Sequence, residues 1–281
     1  MDWSKAKTIF IFSFLITNIV LISVLISSEK QMESTIKKEF IEDAVRILQS
    51  KDISIETEIP KNIPNLNSLI VEYETIDISN INKEFFSNEG FINPSNEGLV
   101  DIFKDKEYIS IKNEKKLIYE NKDTKEIYKD LSKALSEDIV REFLKERSYD
   151  LSDMKLSYIR EDQGEYSLMF SKLYKERYLE TAYVNAVVDS RGVKKLERIW
   201  LNAKNESENP IYINTAPKAM MNLLSMEQAY GKTIIDISLC YYFDPDGQEY
   251  IKDPMEARQG KTIPAWRITF DDGHKIIIDN Y

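Results

Sequence analysis

Residues 154–202 read MKLSYIREDQGEYSLMFSKLYKERYLETAYVNAVVDSRGVKKLERIWLN, and their patterning decides the fold. Four segments, MKLSYIR, EYSLMFSKLY, YLETAYVNAVVDS and VKKLERIWLN, alternate apolar and polar residues with the period of two of a half-buried strand. Gln163-Gly164 and Ser190-Arg191-Gly192 supply turn chemistry between them. Strands joined by connections this short pair antiparallel. Just upstream, Leu131, Leu135, Ile139, Phe143 and Leu144 form the apolar stripe of a helix from about Asp130 to Arg147. A meander packed on one helix is an α+β layer, and α+β is the fold class expected.

Working outward, the same pattern recurs. Upstream, DISIETEI (52–59) and LNSLIVEYETIDI (66–78) are strand-like and separated by Pro60 and Pro64. Residues 79–106 are rich in Asn, Ser, Gly and Pro and read as loop with short elements. YISIKN (108–113) and KLIYEN (116–121) form a hairpin pattern around Asn113-Glu114-Lys115. Residues 29–50 carry Ile36, Phe40, Ile41, Ala44, Val45, Ile47 and Leu48 at helical spacing. Downstream, Ser225-Met-Glu-Gln228 has the form of a capping box, and Gly231 the form of a helix stop. TIIDISLCYYF, QEYI, TIPAWRITF and HKIIIDN then read as strands, with turns at Asp244–Gly247 and Asp271–Gly273.

The N-terminal stretch MDWSKAKTIFIFSFLITNIVLISVLISSEK (1–30) has a different character. Thr8 to Ser28 is free of charge, and as a helix of ~1.5 Å per residue it is ~31 Å long, the thickness of a hydrocarbon core. Its Ile, Leu, Val and Phe residues favour insertion by about −4 to −8 kcal/mol before the polar residues are set against them. Lys5 and Lys7 precede it, so the positive-inside rule places the amino terminus in the cytoplasm and everything after Ser28 outside. The alternative is a cleaved signal peptide, with Ile26 and Ser28 before the cut. Against that, the apolar run exceeds a signal core, and there is no Ala-x-Ala. The expected organisation is a leader (1–7), a membrane helix (8–28), an extracytoplasmic α+β domain (29–125) and a second one (126–281) with a β-rich unit at 215–281. Helix 29–50 is expected to continue out of the span.

The chain carries a formal charge of −10, of which Asp2, Lys5 and Lys7 contribute +1, leaving −11 on residues 29–281. That balance disfavours nucleic acid, whose phosphates want a positive face. A hydrophobic content of 42% suffices for packed cores. The single cysteine, Cys240, rules out an intramolecular disulfide and sits in a strand-like run, where a buried small apolar role fits best. A triad would have to use the one histidine, His274, directly after a turn, and no Gly-x-Ser-x-Gly surrounds a serine. One His and one Cys do not make a zinc site. Asp244–Glu249 partly matches a calcium loop but lacks its third Asp/Asn and its twelfth-position Glu, and a β-turn explains it. No catalytic residue, metal or cofactor is expected.

The span itself holds the candidate partner-binding residues: Phe10, Ser13, Phe14, Thr17 and Asn18. Ser13 and Thr17 share a helix face and permit close approach of another helix, while the Asn18 amide seeks a hydrogen-bonding partner in hydrocarbon.

Residues 1–18, MDWSKAKTIFIFSFLITN, resemble the amino terminus of the YycI family. Ala229-Tyr-Gly-Lys-Thr-Ile234, Tyr241-Tyr-Phe243 and Ile263-Pro-Ala-Trp-Arg-Ile268 resemble the close of the same family. The resemblance implies a non-enzymatic, single-pass regulatory protein in the cell membrane of a low-GC Gram-positive bacterium. It further implies a YycH-like anchored partner and a WalK-type sensor histidine kinase of cell-wall metabolism, contacted largely through membrane helices. Two other readings stand beside it. One is an anchored module that binds a peptide or wall component at a sheet edge; the other is an extracytoplasmic hydrolase with perturbed carboxylates in a cleft.

Overall fold

The computed structural model describes residues 3–31, 36–62, 64–95, 98–246 and 257–279, with the side chains of 4–6, 8–9 and 24–31 left aside. It begins with helices α1 (Trp3–Gln31) and α2 (Lys38–Gln49), then strands β1 (Ser54–Ile55) and β2 (Asn65–Tyr73) and helix α3 (Ile78–Phe86). Strands β3 (Phe91–Pro94), β4 (Leu99–Lys104), β5 (Glu107–Lys112) and β6 (Lys116–Asn121) precede α4 (Lys133–Glu146). The meander is β7 (Met154–Asp162), β8 (Glu165–Tyr174), β9 (Arg177–Asp189) and β10 (Gly192–Ile199), continued by β11 (Leu201–Tyr212). After α5 (Ala216–Met220) come β12 (Thr233–Tyr242), β13 (Gln259–Lys261), β14 (Ile263–Phe270) and β15 (Lys275–Ile278).

The protein is a mixed α+β fold around a large, mostly antiparallel sheet. Among the described residues the sheet has twelve strands: nine follow the path β15-β14-β12-β9-β10-β6-β5-β4-β3, with β1 beside β12 and β7-β8 beside β9. A second sheet has the order β11-β2-β13. Gln163 and Gly164 both take positive φ in the two-residue turn between β7 and β8, the geometry that matches strand twist. The β5–β6 hairpin turns at Asn113 and Glu114, also left-handed.

Strand β9 is the pivot. One edge pairs with β8 along most of its length; the other is divided, Tyr183–Asp189 pairing antiparallel with β10 and Tyr178–Glu180 parallel with β12. Thr181 sits at the division with φ +81, a strained value for a β-branched residue. Its hydroxyl donates to the Phe243 carbonyl at 2.6 Å, which holds the bend in place.

Two apolar cores result. The larger lies between the meander and α3–α4 and contains Leu69, Phe86, Ile109, Val140, Phe170 and Val184. The smaller joins α2 to the C-terminal strands through Leu48, Ala216, Met220, Leu223, Trp266 and Phe270. α2 therefore packs with elements more than 160 residues away in sequence, together with the short β1 that follows it.

Several expectations need correction. The helix over 29–50 is interrupted: Lys37, at φ −58 and ψ 133, is extended, and the Ile36 amide donates to the Lys61 carbonyl. Residues 79–106 are more ordered than expected. Asp77 caps α3 by accepting from the Asn80 amide, and Ile81 and Phe86 are buried. Ser225 caps no α-helix. It ends a 3-10 turn, and its hydroxyl donates back to the Asn222 carbonyl. The strand expected over 52–59 is reduced to Ser54–Ile55, and QEYI (248–251) lies outside the described residues. Among the described residues no helix is long and apolar enough to cross a membrane, so the fold does not establish the span expected over Thr8–Ser28.

Candidate functional site

The expected partner-binding residues all lie on α1. At ~100° per residue, positions 10, 13, 14, 17 and 18 fall within an arc of about 140°, so Phe10, Ser13, Phe14, Thr17 and Asn18 share one face. Phe10 and Phe14 are 74% and 69% exposed. The Thr17 hydroxyl donates to the Ser13 carbonyl at 2.8 Å. That bond satisfies the Thr17 hydroxyl proton within its own helix, while the Asn18 carboxamide and the Ser13 hydroxyl are the other polar side chains of this face.

The residues weighed for chemistry are placed elsewhere. His274 is exposed and stacks on the Phe270 ring. Cys240 is buried in β12, and burial pushes its thiol well above the usual range. Among the described residues no group of His, Cys, Asp and Glu is arranged to hold a metal ion. Of the stretch Asp244–Glu249, read as a β-turn rather than a calcium loop, Asp244 accepts from the Asp246 amide in a turn, while Gly247 to Glu249 lie outside the described residues.

The C-terminal stretches that resemble the YycI family converge in space. Tyr241 and Tyr242 of β12 pair with Pro264 and Ile263 of β14. Trp266 is 1% exposed, and its indole N–H donates to the Asn214 carbonyl at 2.7 Å. Arg267, also 1% exposed, forms an ion pair with Glu180 on β9 at 2.8 Å and donates to Asp236 on β12 at 2.7 Å. Its guanidinium lies 4.0 Å from the Tyr178 ring centroid, and Lys275 on β15 reaches the other Glu180 oxygen at 3.1 Å. This network crosslinks four strands. Sequence reasoning missed it because charged residues in alternating strands look solvated until the second layer is known.

Beside this network lies a groove of about 330 Å³, lined by Pro60, Asn62, Lys155, Glu176, Arg177, Tyr178, Asp236 and Ser238 among others. Its floor is β12, whose far edge is bonded to β14.

No family model matches the chain, and no curated protein matches it. Among solved structures, an uncharacterised protein from Eubacterium rectale ATCC 33656 is similar at 12% identity and a TM-score of 0.50, over 82% of this chain and 88% of that one. YycH from Bacillus subtilis is similar at 14% identity and a TM-score of 0.48, over 79% of this chain and 55% of that one. The C-terminal domain of Bacillus megaterium YpeB is similar at 8% identity and a TM-score of 0.38, over 88% and 94%. The first of these likenesses is one of fold alone.

Proposed function

We propose that the chain is a non-enzymatic regulator of a WalK-type sensor histidine kinase, anchored in the cell membrane by α1 and acting with a YycH-like partner. In this reading the amino terminus is cytoplasmic and the α+β region extracytoplasmic. One observation carries it: Met1–Asn18 resembles the YycI amino terminus, and from Trp3 onward that stretch lies in α1, with Phe10, Ser13, Phe14, Thr17 and Asn18 on one face. A helix face of aromatic and small polar residues suits packing against a second helix in lipid, where association rests on close contact and hydrogen bonds. A contact of this kind acts on a kinase by favouring one of two packings, which takes a differential contact energy of a few kcal/mol. The break at Lys37 means that movement of the α+β region reaches α1 through a non-helical joint rather than a continuous rod.

The test is co-purification in mild detergent of the full chain and of a version whose residues 8–28 are replaced by an unrelated apolar helix. The expected result is a histidine kinase and a second anchored protein with the native helix only. Equal recovery with both versions, or release of the chain from membranes at alkaline pH, overturns the proposal.

A further inference from the structure

We propose that the groove beside β12 is a binding site for an extended peptide bearing an acidic side chain, taken up as an added strand between β1 and β9. The inference starts from the register of β12. On one edge it pairs with β14 from Ile234 to Tyr242. On the other edge, Thr233 and Ile234 pair with β1, while Cys240, Tyr241 and Tyr242 pair with β9. Ile235 to Leu239 have no strand partner on that side among the described residues. The sheet therefore has a window in its interior. From Ile234 to Cys240 it is about 20 Å long at ~3.3 Å per residue, enough for a strand of four or five residues.

The window is built rather than a frayed end. At one side the Glu56 amide donates to the Ile234 carbonyl, closing β1 against β12. At the other, the β8–β9 hairpin turns through Lys175 and Glu176, both with positive φ, just where β9 would otherwise run on beside β12. Pro60 and Asn62 form the rim, and the groove of about 330 Å³ opens onto Asp236, Ser238 and Leu239. An unpaired strand segment offers backbone donors and acceptors to an incoming chain, and a segment flanked by two strands fixes that chain's position.

Charge selects the ligand. Asp236 is occupied by Arg267, and its carboxylate also accepts from the Ser238 hydroxyl at 2.8 Å. Lys155 and Arg177 line the groove without an ion pair among the described residues, and Lys155 lies over the Tyr178 ring at 5.4 Å. Against these two cations stand the exposed Glu176 and also Asp236, whose charge Arg267 already offsets. A peptide carboxylate placed at the Lys155–Arg177 side meets net positive charge in a chain that is acidic elsewhere.

The proposal is independent of the kinase reading, since it concerns the α+β region and not α1. The test uses full-length protein in nanodiscs and a random hexapeptide library displayed on phage. Selection runs in parallel on the native chain and on the Lys155→Glu/Arg177→Glu double variant. The expected result is enrichment of Asp- or Glu-containing peptides that bind the double variant at least tenfold more weakly. Those peptides should slow amide exchange across 235–239. Lys155→Gln/Arg177→Gln, which removes charge without adding repulsion, should weaken binding less, in the same direction. No enrichment, equal binding to the variants, or protection at another segment overturns the proposal. Loss of kinase co-purification leaves this result untouched, so the two readings fail separately.

Discussion

Arg198 donates from both terminal guanidinium nitrogens to the two carboxylate oxygens of Glu74, at 2.7 and 2.9 Å, linking β10 to the end of β2 across 124 residues of chain. The Arg198 side chain is 6% exposed and Glu74 33%. The guanidinium also lies over the Tyr149 and Trp200 rings, at 4.3 and 5.1 Å. This pair holds the two sheets together where they diverge. Breaking a buried pair leaves a desolvated charge without a partner, at a cost of ~3–5 kcal/mol when both groups are buried. Because Glu74 is partly exposed, Glu74→Ala is expected to cost about 2–3 kcal/mol. A urea titration checks this through the midpoint, with the slope unchanged.

Asn18 and Thr17 separate on α1. The Asn18→Leu variant is expected to lower recovery of a helical partner about threefold, the equivalent of ~0.6 kcal/mol for one hydrogen bond in lipid. Thr17→Val should change recovery far less, because the Thr17 hydroxyl is already bonded to the Ser13 carbonyl. Quantitative co-purification compares the two, and an equal loss in both contradicts the assignment.

Leu48 is fully buried where α2 meets α5 and the C-terminal strands. Leu48→Ala is expected to destabilise by about 2–5 kcal/mol, the range for a cavity in a packed core. Hydrogen exchange should show the loss spreading to β12 and β14 rather than to the nearer β5 and β6. Exchange confined to α2 would show that the smaller core does not unfold as a unit.

Cys240 is buried, with its thiol pushed well above the ordinary range by desolvation. Since the thiolate is the reacting species, alkylation of the native chain at pH 8 is expected to run at least about 100-fold slower than in urea. Comparable rates would mean that β12 opens readily.

Asp189 is held below the usual carboxylate range, chiefly by hydrogen bonds from the Arg191 side chain. A depressed folded-state pKa adds stability that is complete above the unfolded value of ~3.9 and is lost as pH falls below it toward the folded value. Asp189→Asn should therefore lower stability at neutral pH and flatten its fall below about pH 4. Melting temperatures of the two proteins between pH 2.5 and 7 test this, and parallel curves would refute it.

The local elements were legible because their signals are local. Alternation in 154–202 and the two-residue turn at Gln163-Gly164 predict β7 to β10, which pair as a meander. The stripe Leu131, Leu135, Ile139, Phe143 and Leu144 predicts α4, with Ile139 and Leu144 buried. The misses have local causes too. Composition hid α3, since five polar residues outweighed the Asp77 cap and the Ile78, Ile81 and Phe86 spacing. Helical periodicity ran straight through Lys37, which is extended, next to Ile36, whose amide donates to the Lys61 carbonyl.

What the sequence determined by itself was therefore the kind of most elements and the antiparallel pairing of neighbours joined by short turns. Periodicity, turn chemistry and hydropathy are properties of adjacent residues. Only the tertiary structure decided that α2 joins the C-terminal strands, that β9 divides its edge between β10 and β12 at Thr181, and that among the described residues one edge of β12 has no strand partner from Ile235 to Leu239. Those outcomes depend on which apolar faces meet between segments distant in sequence. Such long-range pairings are selected by the burial they achieve together, so no single segment encodes them.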